Sequence, residues 1–205
     1  MVNYSEVRKN MGEVFRPKRT AATMGSILAA WTGICIVVGA YGSMSLPIGG
    51  YVSGFWPAMA LQAIGGIWFG MWGVIVAFLF PIISDAIGEA IPMYVAATLI
   101  PANFFQSWLV AWVFRRFKLN PELKTKKDWL AWILVGCIIQ NAIGATLGTT
   151  AFVLWGLFTW EAQPLFWAGW FVGNTWPAIV FGSLILKIAT PFVKRTRVYV
   201  FPDWW

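Results

Sequence analysis

Residues 21–43 read AATMGSILAAWTGICIVVGAYGS, an apolar stretch without a single charged side chain. Similar stretches recur along the 205 residues, of which 59% are apolar and only 11% charged, with a mean hydropathy of +0.68. Soluble domains carry about 25% charged residues, so lipid is the expected solvent for this chain. Lipid requires every backbone polar group to be satisfied internally, in helices or in closed barrels. The apolar runs are long and do not alternate, which predicts helices.

A helix that crosses a hydrocarbon core of about 30 Å needs roughly 20 apolar residues. The segments that meet this requirement are about 21–43, 54–70, 72–90, 93–115, 128–156 and 165–192. The second and third are separated only by Gly70–Met71–Trp72–Gly73, which indicates either a tight hairpin or a re-entrant piece. The predicted fold is an all-α, polytopic membrane bundle of about six transmembrane helices over 21–192. A basic segment, 1–20, precedes the bundle and a tail, 193–205, follows it.

The fifteen Lys and Arg residues fall into only three regions of the chain. These regions are Arg8 to Arg19, Arg115 to Lys127 and Lys187 to Arg197. With six crossings all three lie on one side of the membrane, and the other side receives Asp85, Glu89 and Glu161. Because Lys and Arg prefer cytoplasmic loops, both termini are predicted to be cytoplasmic, in a prokaryotic cytoplasmic membrane. The net charge of +7 is then an orientation signal next to anionic lipid, and no nucleic-acid partner is expected.

The residue patterns that most catalytic chemistries require are missing from this sequence. Histidine is absent, and Cys35 and Cys137 both fall inside apolar runs, where they are expected to be small buried hydrophobes. There is no Gly-rich phosphate loop with Lys, no HExxH and no CxxC. We therefore expect no enzyme activity, no metal and no cofactor. A chain without an ATP-binding motif cannot power primary transport alone.

The first apolar segment carries small residues at intervals of four, at Ala21, Gly25, Ala29 and Gly33. This spacing places them on one face of a helix. Small residues allow a second helix to approach closely, which is how helices associate in lipid. The face is expected either to pack inside the protein's own bundle or to dock a partner subunit.

Burial of polar side chains inside the apolar segments costs free energy unless they form hydrogen bonds or contact water. The amides could form hydrogen bonds between helices, and many of the fifteen Trp residues could form an interfacial belt. Alternatively, the acidic, amide and Trp side chains together form a cavity that is acidic at its rim, lined by amides and walled by Trp. Such a cavity would favour a neutral or cationic, partly aromatic solute. The candidate solute-binding residues are Glu89, Asn141, Asn174, Trp155 and Trp170.

Three features of the chain resemble the substrate-binding S-components of energy-coupling factor (ECF) transporters. The first is the small-residue face of the first segment, although two of its four residues are Gly where the family has an alanine-rich face. The second runs from Leu46-Pro47-Ile48 through Phe69-Gly70-Met71-Trp72-Gly73 to Ser84-Asp85, and is similar to the family's first loop and second helix with tighter spacing. The third is a polar last helix with Asn174. The resemblance covers about 21–192.

Membership of that family implies a six-helix protein that binds a solute from outside. It also implies docking of the small-residue face on a transmembrane coupling subunit, with two ATPase subunits completing the transporter. Phe55-Trp56-Pro57, Trp167-Ala168-Gly169-Trp170 and Gly173-Asn174 also resemble bacterial integral membrane sensor domains. The alternatives to a solute-binding subunit are therefore a sensor domain and an accessory or structural subunit of a larger membrane complex.

Overall fold

The computed structural model describes residues 21–43, 52–88 and 91–205 of the chain. Over these residues the protein consists of helices joined by short connections, with no β-strand, so the prediction of an all-α fold is confirmed for the part described. The helices are α1 (Ala21–Tyr41), α2 (Ala58–Phe69), α3 (Met71–Ile87), α4 (Met93–Thr98), α5 (Ile100–Arg116), α6 (Lys126–Leu154) and α7 (Gln163–Val193).

Three of the helices in the described residues are long and apolar enough to cross a membrane. They are α6, α7 and the Met24–Tyr41 part of α1, whereas α2 and α3 are shorter apolar helices. Large apolar side chains on their surfaces are exposed, such as Ile34 at 51%, Leu154 at 76% and Leu184 at 55%. An apolar surface of this kind is compatible with lipid as the surrounding solvent.

Contacts between successive helices show that the chain reverses direction at each long helix. In α1, Trp31 packs 5.7 Å from Trp68 near the end of α2, whereas Gly39 meets Ser84 near the end of α3. We call the end of the bundle where Phe69 lies the basic end, because the α5–α6 connection and residues 194–205 pack there. The opposite end, where α1 and α3 finish, is called the open end.

Two interruptions of the predicted helices lie beside a proline, whereas a third, the π-helical stretch Trp132–Ile139 of α6, does not. The segment predicted at 93–115 is divided at Leu99 into α4 and α5, because Pro101 in the first turn of α5 has no N–H to continue the ladder. In α7, Pro177 is followed by a π-helical turn, Ala178–Gly182. A π-turn widens the helix and shifts its hydrogen bonds, which accommodates the missing donor.

Residues 194–205, predicted only as a tail, fold back onto the basic end of the bundle. The N–H of Val200 donates to Trp68 O at 2.8 Å, and the N–H of Met71 donates to Trp204 O at 2.9 Å. Gly70, which turns the chain between α2 and α3, has φ +60° and lies directly against Trp204. A side chain there would meet both an unfavourable backbone conformation and the main chain of the tail.

The start of α6 lies at the same end and is fixed by a capping box. The Thr125 side chain accepts from the N–H of Asp128, and the Asp128 carboxylate accepts from the N–H groups of Thr125 and Asn120 at 2.8 Å. In the preceding connection, Glu122 pairs with Lys194 of the tail. These contacts join the α5–α6 connection to the end of α7.

Candidate functional site

A cavity of about 130 Å³ lies toward the open end of the bundle. It lies beside the start of α2, whose twelve residues span only about 18 Å at a rise of 1.5 Å per residue. The space that a longer α2 would fill is instead bordered by residues 52–57 in irregular conformation. The cavity is lined by Gly39, Ala40, Ser43, Val52, Ser53, Trp56, Pro81, Ser84, Asp85, Gly88, Ile91, Leu99, Asn103, Phe152, Trp170 and Asn174.

The irregular segment is held against the interior of α7 by its backbone. The N–H of Trp56 donates to Gly173 O at 3.0 Å, and the Ser53 hydroxyl donates to Phe55 O at 2.7 Å. A Cβ at Gly173 would lie 2.2 Å from Ser53 O, so only glycine allows this approach. Phe55 then stacks on Trp176 with ring centroids 4.9 Å apart. Irregular backbone of this kind is tolerated at membrane depth where it is buried in protein or lines a cavity.

Asn103 lines the cavity and carries a buried side-chain donor without a partner in the described residues. Its side chain is 2% exposed, and the Nε2 group of Gln62 donates both to Asn103 O at 3.1 Å and to Asn103 Oδ1 at 3.2 Å. Because a main-chain oxygen can only accept, this end of Gln62 is the NH₂ group and the Asn103 atom beside it is the oxygen. The Nδ2 group of Asn103 has no hydrogen-bond partner in the described part of the chain.

Two residues of α7, Trp170 and Asn174, line the opposite wall. The Trp170 Nε1 atom is buried and lacks an acceptor among the described residues, while its ring packs 5.7 Å from Phe152. A Cβ at Gly148 would lie 2.5 Å from that ring, so the glycine makes room for it. Asn174 is 4% exposed. Buried polar groups are nearly always satisfied in folded proteins, so unpaired donors on a cavity wall indicate a place for a ligand or for water.

Asp85 is the one charged side chain among the described residues of the lining. It lies in the last turn of α3, next to Ser84, whose hydroxyl donates to Pro81 O at 3.1 Å. No basic side chain of the described residues lies within ion-pair distance of Asp85. The described Lys and Arg residues are confined to 115–127 and 187–197.

The structure brings together two of the five residues predicted to bind solute. Trp170 and Asn174 line the cavity, and Glu89 lies outside the described residues. Asn141 is fully buried away from the cavity, where it accepts from Gln106 Nε2 at 3.0 Å and donates to Cys137 O at 2.8 Å. Trp155 is 48% exposed and donates to the Thr98 hydroxyl at 3.2 Å.

Asn103, Asp85 and Trp56 were not among the five residues predicted to contact the solute. The available signal was helical spacing, since Asn103 shares one face of α5 with Ser107, four residues further along. That face meets α2, as shown by the Ser107 hydroxyl, which donates to Gln62 O at 2.9 Å. The sequence alone could not show which neighbouring helix or cavity this face of α5 contacts.

The predicted docking face of α1 is uncovered. Gly25, Ala29 and Gly33 are exposed, and a Cβ at either glycine would meet nothing within 4 Å. The side chain of Ala21 lies outside the described part. The face therefore does not pack against the described remainder of the chain. By contrast, a Cβ at Gly39, on another side of α1, would lie 2.9 Å from Ser84.

No protein-family model, curated protein or solved structure matched this chain in the comparisons made.

Proposed function

We propose that the chain is an integral protein of a prokaryotic cytoplasmic membrane, with six crossings and both termini in the cytoplasm. The long apolar helices and the alternation of helix direction support this topology. The positive-inside tendency places the basic end in the cytoplasm. The open end, with its cavity, then faces outward.

Within that topology, the protein is a membrane-embedded solute-binding subunit of an uptake transporter. It captures a small, neutral or cationic, partly aromatic solute from outside. The observation that carries this proposal is the cavity itself, where Asn103 Nδ2 and Trp170 Nε1 lack partners among the described residues. Solute sites of membrane transporters commonly include irregular backbone that lines a cavity, and the segment before α2 supports the proposal because it borders the cavity in this way.

The chain is proposed to work as the S-component of an ECF-type transporter, with a transmembrane coupling subunit and ATPase subunits as partners. The exposed face at Gly25, Ala29 and Gly33 supports contact with another membrane helix. Close approach of helices at small residues is a common mode of association in lipid. The same uncovered face supports a second candidate function, an accessory subunit of a larger membrane complex. A sensor domain is a third possibility.

Two tryptophans that sequence reasoning treated alike provide a matched test of solute binding. We expect Trp170→Ala to lose the solute that the wild-type protein retains when purified gently from its own membrane. Trp155→Ala should retain it, because the Trp155 ring lies at Thr98 and Tyr94, away from the cavity. Native mass spectrometry of the wild type and both variants measures the bound solute and any attached subunits together.

The same experiment tests the proposed solute site and the proposed partner subunits independently. A solute that survives Trp170→Ala but is lost with Trp155→Ala would contradict the assignment of the cavity. A wild-type protein that carries no solute but copurifies with an unrelated membrane enzyme would favour the accessory subunit. Coupling and ATPase subunits in the same spectrum would support the transporter.

A further inference from the structure

We propose that the cavity takes a small organic monocation, about one ring in size, which places its positive group at Asp85 and a hydrogen-bond acceptor at Asn103 Nδ2. This inference rests on the proposed function and narrows it to one class of solute. Four features of the described lining carry it: the sign of its charge, its unpaired donors, its aromatic walls and its volume.

The lining is negative in character. Asp85 is the one charged residue among its described residues, and the basic side chains of the described chain lie at the other end of the bundle. The C-terminal turns of α1 and α3 flank Asp85 through Ala40 and Gly88. Helix C-termini carry partial negative charge on their unpaired carbonyl groups. A carboxylate in such surroundings is costly without a cation, which an anionic solute could not supply.

Among the described residues that line the cavity, the buried hydrogen-bonding groups without a partner are donors. The Nδ2 group of Asn103 and the Nε1 group of Trp170 are both buried without an acceptor in the described residues. A buried donor that has lost its water needs an acceptor from another source. The Oδ1 atom of Asn103 is already held by Gln62, so the amide cannot turn to offer an oxygen without losing that bond. The solute must therefore carry an acceptor as well as a positive charge.

Aromatic walls distinguish an organic cation from a metal ion. Trp56, Phe152 and Trp170 line the cavity, and Trp56 is fixed by stacking on Phe80 with centroids 5.9 Å apart. Aromatic faces attract organic cations and stack on flat rings. A hard metal ion needs about six oxygen ligands, and no cluster of three His, Cys, Asp or Glu side chains occurs in the described residues.

The volume limits the size of the solute. A cavity of about 150 Å³ holds a benzene molecule, and this cavity measures about 130 Å³. A rigid solute is therefore limited to about one ring, and a short substituent on that ring requires a small movement of the lining, such as residues 52–57. The proposed occupant combines one ring, one ammonium group and one acceptor.

Four small probes separate these requirements. The full probe, 3-(aminomethyl)pyridine, carries an ammonium group and a ring nitrogen that accepts. Benzylamine lacks the acceptor, 3-(hydroxymethyl)pyridine lacks the charge, and nicotinate reverses the charge. Calorimetric titration of the full-length protein in lipid nanodiscs should show the full probe binding at least about tenfold more tightly than each of the others.

Two variants assign the preferences to residues. Asp85→Asn should remove the preference for the full probe over 3-(hydroxymethyl)pyridine and leave its preference over benzylamine. Asn103→Leu should remove the preference for the full probe over benzylamine and leave its preference over 3-(hydroxymethyl)pyridine. Gln62 loses one of its two acceptors in Asn103→Leu. If that variant fails to fold, the ratio of the wild-type affinities for 3-(aminomethyl)pyridine and benzylamine still decides whether the acceptor of the solute matters. Trp155→Ala, outside the cavity, should change none of these ratios.

Equal affinities for the four probes, or tightest binding of nicotinate, would overturn the assignment of the solute class. So would the absence of saturable binding of the full probe up to about 10 mM. Suppose instead that the neutral or the anionic probe binds most tightly and that Trp170→Ala abolishes this binding. That result would support the solute-binding function and reject only the proposal that the solute is a cation. If no probe binds and the purified wild-type protein retains no solute, both the solute-binding function and the proposed solute class are rejected.

Discussion

Arg115→Ala is expected to destabilise the protein by about 3 kcal/mol or more, because one guanidinium group satisfies several carbonyl groups at the basic end. It donates to Gly66 O at 3.1 Å and Ile67 O at 3.2 Å, in the last turn of α2. The last carbonyl groups of a helix have no partner within the helix, and α2 is buried along its whole length. Removal of Arg115 leaves these groups buried without a donor.

The same substitution should release residues 198–205 from the bundle. The Nε atom of Arg115 donates to Asp203 O at 2.9 Å, and its guanidinium lies 4.4 Å from the ring centre of Trp204. Hydrogen exchange of the tail and the midpoint of thermal unfolding in detergent measure the two effects. Arg116→Ala is the matched control, because Arg116 is exposed and its ring contact is with the neighbouring Phe117. We expect a change within about 0.5 kcal/mol for the control, and equal effects of the two variants would contradict this account of the basic end.

Gly73→Ala is expected to prevent α2 and α3 from packing as they do in the wild type. A Cβ at Gly73 would lie 1.9 Å from Gly65 O and 2.2 Å from Gly65 C. Both atoms belong to the main chain, so no rotation of a side chain can relieve the overlap. Overpacking of a core costs about 1–3 kcal/mol when side chains can adjust, and we expect about 3 kcal/mol or more here. The measurements are the yield of monodisperse protein on gel filtration and the midpoint of thermal unfolding.

Gly25→Ala serves as the control for that prediction. A Cβ at Gly25 meets nothing within 4 Å, and alanine is favoured over glycine inside a helix by about 0.5–1 kcal/mol. The isolated protein should therefore be as stable as the wild type or slightly more stable. A wild-type unfolding midpoint for Gly73→Ala, or a clear loss of stability for Gly25→Ala, would contradict the packing described for α1, α2 and α3.

The helices could be predicted from sequence because their signal is local. Long apolar stretches of the required length coincide with α1, α6 and α7, and the turn predicted at Gly70–Met71–Trp72–Gly73 separates α2 from α3. Composition alone determines where such helices lie. That each apolar segment crosses a membrane, and in which direction, belongs to the proposal.

The candidate site was only partly predictable, because it depends on how each helix is rotated about its axis. Asn141 and Asn103 are both amides within apolar helices, yet Asn141 bonds to Gln106 and Cys137 in the core while Asn103 lines the cavity. The sequence could not distinguish them without knowing which helices are neighbours. Trp155 and Trp170 differ for the same reason.

The shortness of α2 was the second obstacle. The segment predicted at 54–70 begins as a helix only at Ala58, because residues 53–56 bond to each other and to Gly173 instead. This contact joins residues more than a hundred positions apart in sequence, and it holds in place the segment that borders the cavity. The folded tail has a similar origin, since Arg115 meets Asp203 and Trp204 only in the assembled bundle.

The most direct test of the central claim is an experimental map of the protein purified from its own membrane under mild conditions. The account predicts density for a bound solute of about one ring, in contact with Asn103, Trp170 and Asn174. A cavity filled by a lipid acyl chain, or closed by movement of residues 52–57 with no solute present, would contradict it.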